Sequence, residues 1–187
     1  DTMALVGHKI GAPFGVGALA AGPRSKLSRL VHGGGQEQGR RAGAENVPGI
    51  VGMAAAAQAA TRDLPKLADQ AAWRDALQVR VIEAGATVFG ANVERLPQTL
   101  CFAAEGFEGP TQVMSLDLAG VMVSSGPACS SGKAKPSATV AAMGYPELAA
   151  STIRVSGGWA TTAADWQACG DVWIAAFEKH QSRRKVA

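Results

Sequence analysis

The sequence predicts an α/β layered fold, on three observations. Segments patterned as strands ("ATVFG", "QTLCFA", "GVMVSS", "TIRVS") alternate with segments patterned as helices beyond residue 64. The chain's 187 residues suffice for one ordinary domain or two small ones with a sizeable core. A hydrophobic share of 47% against 18% charged residues suits a globular protein in water. Aromatics are few at 5%, which predicts a core of small side chains and close helix contacts.

The first strand is expected in "DTMALVGHK" and a second in "GVGALAA", stopped by Gly22-Pro23. A glycine- and charge-rich loop, "HGGGQEQGRRAGAEN", follows. Asn46 can cap the next helix, with Pro48 in its first turn and "GIVGMAAAAQAA" as its body. Asp63 and Pro65 predict the start of a further helix, "KLADQAAWRDALQVRVIEAG", whose apolar residues recur at helical spacing. A domain boundary is therefore expected near residue 64, giving units 1–64 and 65–187. Past it, helices are expected in "GPTQVMSLDLAG", "KPSATVAAMG" and "TTAADWQACGDVWIAAFEKH", the last capped by Thr162 with Asp165. An opening strand without neighbours would leave open edges, so further chain is expected ahead of Asp1.

Charge and cysteine usage narrow the function classes. The formal charge is only +3, and the basic run Arg183-Arg184-Lys185 reads as a solvated end, so no nucleic-acid partner is expected. No apolar run reaches the roughly eighteen residues of a membrane span, and no leader peptide is recognisable, which makes the cytoplasm the default location. Three cysteines without a C-x-x-C pair argue against a disulfide framework and against a cysteine-based metal site. Cys101 and Cys169 lie in apolar patterns and read as packing residues.

Four stretches could carry chemistry. In "GHKIGAPFGVGAL", a lysine at a strand end can present its amine to a carbonyl cofactor if burial helps it lose its proton, or it can be a surface lysine in a turn. "GVGALA" also fits the dinucleotide pattern, with Glu37 twenty residues beyond Gly17. It continues as a strand and breaks at Pro23 instead of opening a helix, so the nicotinamide reading is rejected. The glycine loop with Arg40 and Arg41 can hold phosphate or carboxylate, or be a solvated loop. Arg154, inside the strand "IRVS", either meets a carboxylate of the protein or waits for one on a ligand. Cys129, in "SSGPACSSG", sits where a thiol could travel between two places, unlike a packing cysteine.

In this order the stretches "HKIGAPFGVGAL", "HGGGQEQGRRAGAENVPGIVG", "SSGPACSSG" with "KPSATVAAMG", and "IRVS" with the later "TT" resemble the cysteine desulfurases of the NifS/IscS type. These are pyridoxal-phosphate enzymes of the class V branch of the fold-type I aminotransferases. The resemblance runs from Asp1 to about Asp171 and covers the C-terminal half of the family pattern. It implies the end of the large cofactor domain (1–64) followed by the small α/β domain (65–187) that carries the cysteine loop. It also implies pyridoxal 5'-phosphate as cofactor, L-cysteine as substrate, a homodimer, and an iron–sulfur scaffold or other sulfur acceptor as partner.

Carried over residue by residue, Lys9 holds the cofactor covalently and His8 contacts its phosphate. Cys129 takes the substrate sulfur as a persulfide, and Arg154 holds the substrate carboxylate. The sequence departs from the pattern at Val6 and Ala44, where the family has hydroxyl residues for the phosphate, and at Ala12 and Phe14 in "APFG". The 187 residues by themselves are expected to be inactive, since the family's ring-stacking histidine and phosphate loop lie outside them. Another class V pyridoxal-phosphate lyase or aminotransferase, such as a selenocysteine lyase, and a catalytically inactive truncated interaction module are the alternatives.

Overall fold

The computed structural model describes residues 1–126 and 135–184, which form two compact units, Asp1–Leu64 and Pro65–Ala187. In the first unit, β1 (Thr2–Val6) and β2 (Gly17–Ala21) pair antiparallel with Thr2 opposite Ala21 and Val6 opposite Gly17. Every residue of both strands is exposed, including Met3, Leu5 and Leu19. The stretch "GHKI", expected to continue β1, is instead a 3-10 turn over Gly7–Ile10 that ends in left-handed Gly11. Such a turn reverses the chain, and Gly7 closes it by donating its N–H to Val16 O at 3.0 Å. A Cβ at Gly7 would lie 2.8 Å from that same oxygen, so only glycine fits.

Helix α1 runs unbroken from Val47 to Glu83, beginning in the first unit and ending in the second. Asn46 caps it as expected, accepting the Gly49 N–H at 3.1 Å. The helix start expected at Asp63 and Pro65 is absent, because Pro65 lies inside α1. Proline's φ is compatible with a helix, and its cost there is a missing N–H and a steric conflict one turn back. The alanine-rich segment before it and the amphipathic segment after it each favour helix strongly enough to carry the chain across.

The second unit is a four-stranded sheet with helices on both faces. The strands β3 (Thr87–Phe89), β4 (Thr99–Ala103), β5 (Ser124–Ser125) and β6 (Thr152–Ser156) lie in the order β3-β4-β6-β5, antiparallel throughout. The expected strand "GVMVSS" shrinks to its last two residues. Val121 is captured before it can pair: Gly120 adopts φ +83° and the Val121 N–H bonds back to Leu116 O at 2.9 Å. Val121 and Val123 then pack against the core, so their apolar character serves packing and not pairing.

Side chains alternate across the sheet. Leu100, Phe102, Ile153 and Val155 face the larger core, formed with Leu77 and Val81 of α1, Leu116 of α2 (Gly109–Asp117), and Trp166, Cys169, Trp173 and Phe177 of α4 (Ala163–Arg184). Phe89 and Ala103 face the other way, packing with Val140 of α3 (Ala138–Ala142) and with Leu148 in a 3-10 turn, Pro146–Ser151, that no sequence signal announced. The core is not built from small residues. The scarce aromatics concentrate in it, with Phe102 edge-on to Trp173 at 5.0 Å and Trp173 stacked on Phe177 at 5.1 Å. Each such ring contributes roughly 1.5–3 kcal/mol through burial. The Thr162–Asp165 cap forms as expected, the Asp165 carboxylate accepting from the Thr162 N–H and hydroxyl, both at 2.8 Å.

Candidate active site

The residues singled out for chemistry fall in both units, with His8 and Lys9 sharing one turn of the first. The 3-10 turn after β1 presents both side chains to solvent. Lys9 makes no hydrogen bond or ion pair among the described residues. Lys9 is exposed, as is every residue of the two-stranded ribbon on either side of its turn. His8 stacks on Phe14 with ring centroids 5.3 Å apart and planes 19° from parallel. In the sequence Phe14 stands out only as a departure from the family pattern. Its contact with His8 arises because the turn folds the two positions onto one side, which linear spacing does not reveal.

The glycine loop is tied to the segment just ahead of it. Arg29 Nε donates to Gly39 O at 2.6 Å, and Ala42 N–H to Val31 O at 3.2 Å. Glu37 and Gln38 both adopt left-handed backbone, at φ +51° and +54°, a strained arrangement for residues other than glycine. Arg40 reaches Gln38 Oε1 at 3.0 Å, while Arg41 and Ala44 are exposed. The loop thus offers guanidinium groups to solvent with no carboxylate paired to them.

In the second unit Arg154 is exposed on β6 although its strand neighbours Ile153 and Val155 are buried. No ion pair among the described residues involves it. Of the two sequence alternatives, a protein carboxylate and a ligand's, the first finds no partner here. Directly opposite Arg154 stand Cys101 on β4 and Ser124 on β5, so the three side chains form a row on one face of the sheet. Burial pushes the Cys101 thiol up, and the Arg154 guanidinium pulls it the other way. That row was missed from sequence, since it depends on the register of three strands.

Cys169 is a packing residue, buried at 3% exposure, and burial pushes its thiol up to about 11 against the opposing charge of Arg80. Cys129 lies outside the described residues. Among the described residues no group of three metal-ligating side chains occurs, and no helix is long and apolar enough to cross a membrane.

Residues 1–168 match the family model for class-V aminotransferases. A cysteine desulfurase of Gluconacetobacter diazotrophicus is 41% identical over 169 residues, covering 88% of this chain and 42% of that protein. A cysteine desulfurase IscS of Dictyoglomus turgidum is 37% identical over 183 residues, covering 96% of this chain and 46% of its own length. The fold superposes on a NifS-like protein from Rickettsia africae with a TM-score of 0.80 at 26% identity, covering 95% of this chain and 48% of that one. The chain therefore spans less than half the length of these relatives.

Proposed function

Since the chain belongs to the class V aminotransferase family, we propose that it is the C-terminal half of a pyridoxal-phosphate-dependent cysteine desulfurase. The reaction takes sulfur from L-cysteine, leaves L-alanine, and stores the sulfur as a persulfide on Cys129 for iron–sulfur cluster assembly. In this reading residues 1–64 complete a cofactor domain and 65–187 are the small domain, working as a homodimer in the cytoplasm. The observation that carries it is the exposed Arg154 guanidinium, without a protein carboxylate, in a chain whose relatives are named cysteine desulfurases.

The residues present fit the cofactor. A primary amine free of ion pairs and an imidazole share one turn, which suits a group bearing an aldehyde and a phosphate. When bound, pyridoxal phosphate supplies an electron sink for proton loss at the substrate Cα. Lys9 would hold and return the proton at the substrate Cα, and His8 would contact the phosphate. Arg154 fixes the substrate through its carboxylate with a charge-assisted pair. The Cys129 thiolate attacks the substrate sulfur: an S–S bond forms as the C–S bond breaks, and the carbon left behind takes a proton to become L-alanine.

The test joins this chain to the segment that its relatives carry ahead of the matched region and follows L-alanine formation from L-cysteine. The reading predicts alanine in step with persulfide, and a KM raised at least about tenfold by Arg154→Gln. Cofactor binding without alanine formation would overturn it in favour of an inactive interaction module.

A further inference from the structure

Arg154 owes its free guanidinium to its neighbours in the sheet. In an antiparallel sheet, the residues directly opposite a side chain lie nearest to it and are the first able to pair with it. For Arg154 these are Cys101 and Ser124, on the strands to either side. Both are short and uncharged in this context, and burial works against ionisation of the Cys101 thiol. Beyond Cys101 the row continues with Phe89, an apolar residue packed against Ala103 and Val140. The row thus contains one cation and no carboxylate. Ion pairs elsewhere in this unit, Arg74 with Asp75 and Arg80 with Asp171, show the alternative, in which a carboxylate within reach is taken up.

We propose that Cys101 and Ser124 are specificity-determining neighbours of Arg154, which keep its guanidinium open to the carboxylate of a small ligand and place that carboxylate against the Cys101 side chain. The proposal rests on Arg154 as the carboxylate anchor of the proposed function. It adds the two residues that decide whether the anchor is available. A carboxylate introduced at either position would form a cross-strand ion pair and close the site from within.

The experiment needs neither cofactor nor turnover. The 187-residue chain is treated with iodoacetate or with iodoacetamide, and the rate at Cys101 is read by peptide mapping, separately from Cys129 and Cys169. In both reagents the Cys101 sulfur bonds to the CH2 carbon, iodide leaves, and the thiol proton passes to solvent. Only iodoacetate carries a carboxylate for Arg154 to hold. The iodoacetate-to-iodoacetamide ratio at Cys101 should exceed that in Arg154→Gln by about fivefold, the size of an exposed charge pair. Arg154→Lys should keep most of the excess, which guards against a misfolded Gln variant. Ser124→Asp should abolish the excess while Ser124→Asn retains it.

Equal ratios in the parent and in Arg154→Gln would overturn the proposal, as would a Ser124→Asp chain that labels like the parent. If the labelling excess is present while Arg154→Gln leaves the KM of the joined enzyme unchanged, the open anchor stands and the proposed desulfurase role of Arg154 falls.

Discussion

Trp173 donates its indole N–H to Gln112 Oε1 at 2.8 Å, with both side chains wholly buried in the second unit. The same amide's Nε2 donates to Phe107 O at 2.6 Å and to Ser151 O at 2.7 Å, so Gln112 ties α2 to α4 and to the end of the 3-10 turn that leads into β6. Gln112→Ala removes the partners of an indole N–H and two carbonyls together. Buried unsatisfied groups cost about 1–3 kcal/mol each, and relaxation recovers part, so a loss of about 3 kcal/mol is expected. Urea unfolding of the two chains measures it; a change below about 1 kcal/mol would show that water or a rearranged core replaces the amide.

Pro65 predicts a change of opposite sign. Its ring offers no N–H to the Thr61 carbonyl one turn earlier in α1. Pro65→Ala should raise stability by about 1–3 kcal/mol, less whatever the proline contributes by restricting the unfolded chain. Thermal unfolding reports the direction; a lowered melting temperature would mean that Pro65 sets a bend the fold requires.

Acid should loosen the start of α4. Hydrogen bonds from the Thr162 N–H and hydroxyl hold the exposed Asp165 carboxyl below its ordinary value of 3.8. The folded state thus binds this proton less readily than the unfolded state does. The cap's contribution is complete above pH 3.8 and is lost as pH falls through the lowered value. The stability difference between the parent and Asp165→Asn should shrink below that pH, and a constant difference down to full acid unfolding would contradict the cap's role.

For the thiols, the joined enzyme should lose sulfide release from cysteine and reductant in Cys129→Ser. Cys101→Ser and Cys169→Ser should retain the persulfide chemistry, and Cys169→Ser should mainly lower stability, because it places a hydroxyl in the aromatic core. Full activity in Cys129→Ser would favour a selenocysteine lyase or an aminotransferase, neither of which needs a persulfide-forming thiol.

Ala44 is exposed on the glycine loop, where the family pattern carries a threonine. Restoring the hydroxyl by Ala44→Thr in the joined dimer should tighten pyridoxal phosphate binding about tenfold, the low end for a hydrogen bond to a charged group. The turnover number at saturating cofactor should stay the same. Cofactor titration of the two apo-enzymes decides, and equal affinities at equal dimer content would assign the phosphate to Arg40 and Arg41.

Most of the element pattern was legible because its causes are local. Asn46 and Thr162 with Asp165 announce helix starts through side chains that reach only three residues along the chain. "QTLCFA" and "TIRVS" announce strands through β-branched and apolar runs, and the order of motifs carried the family assignment. The misreadings have longer-range causes. Pro65 looked like a boundary because its penalty is local, while the helix continues through it on the strength of what flanks it on both sides. Val121–Val123 looked like strand because apolar runs serve pairing and packing alike, and only the core decides between them.

By itself, then, the sequence determined the α/β class, the helix caps and the strands that carry Cys101 and Arg154, since each is encoded within a few residues. Tertiary structure decided that Arg154 stands between Cys101 and Ser124, that Phe14 lies on His8, and that the scarce aromatics gather around Trp173. Those relationships come from strand register, chain reversal and close packing. Each joins residues that are separated in sequence and become neighbours only when burial of the apolar faces selects one arrangement of the whole chain.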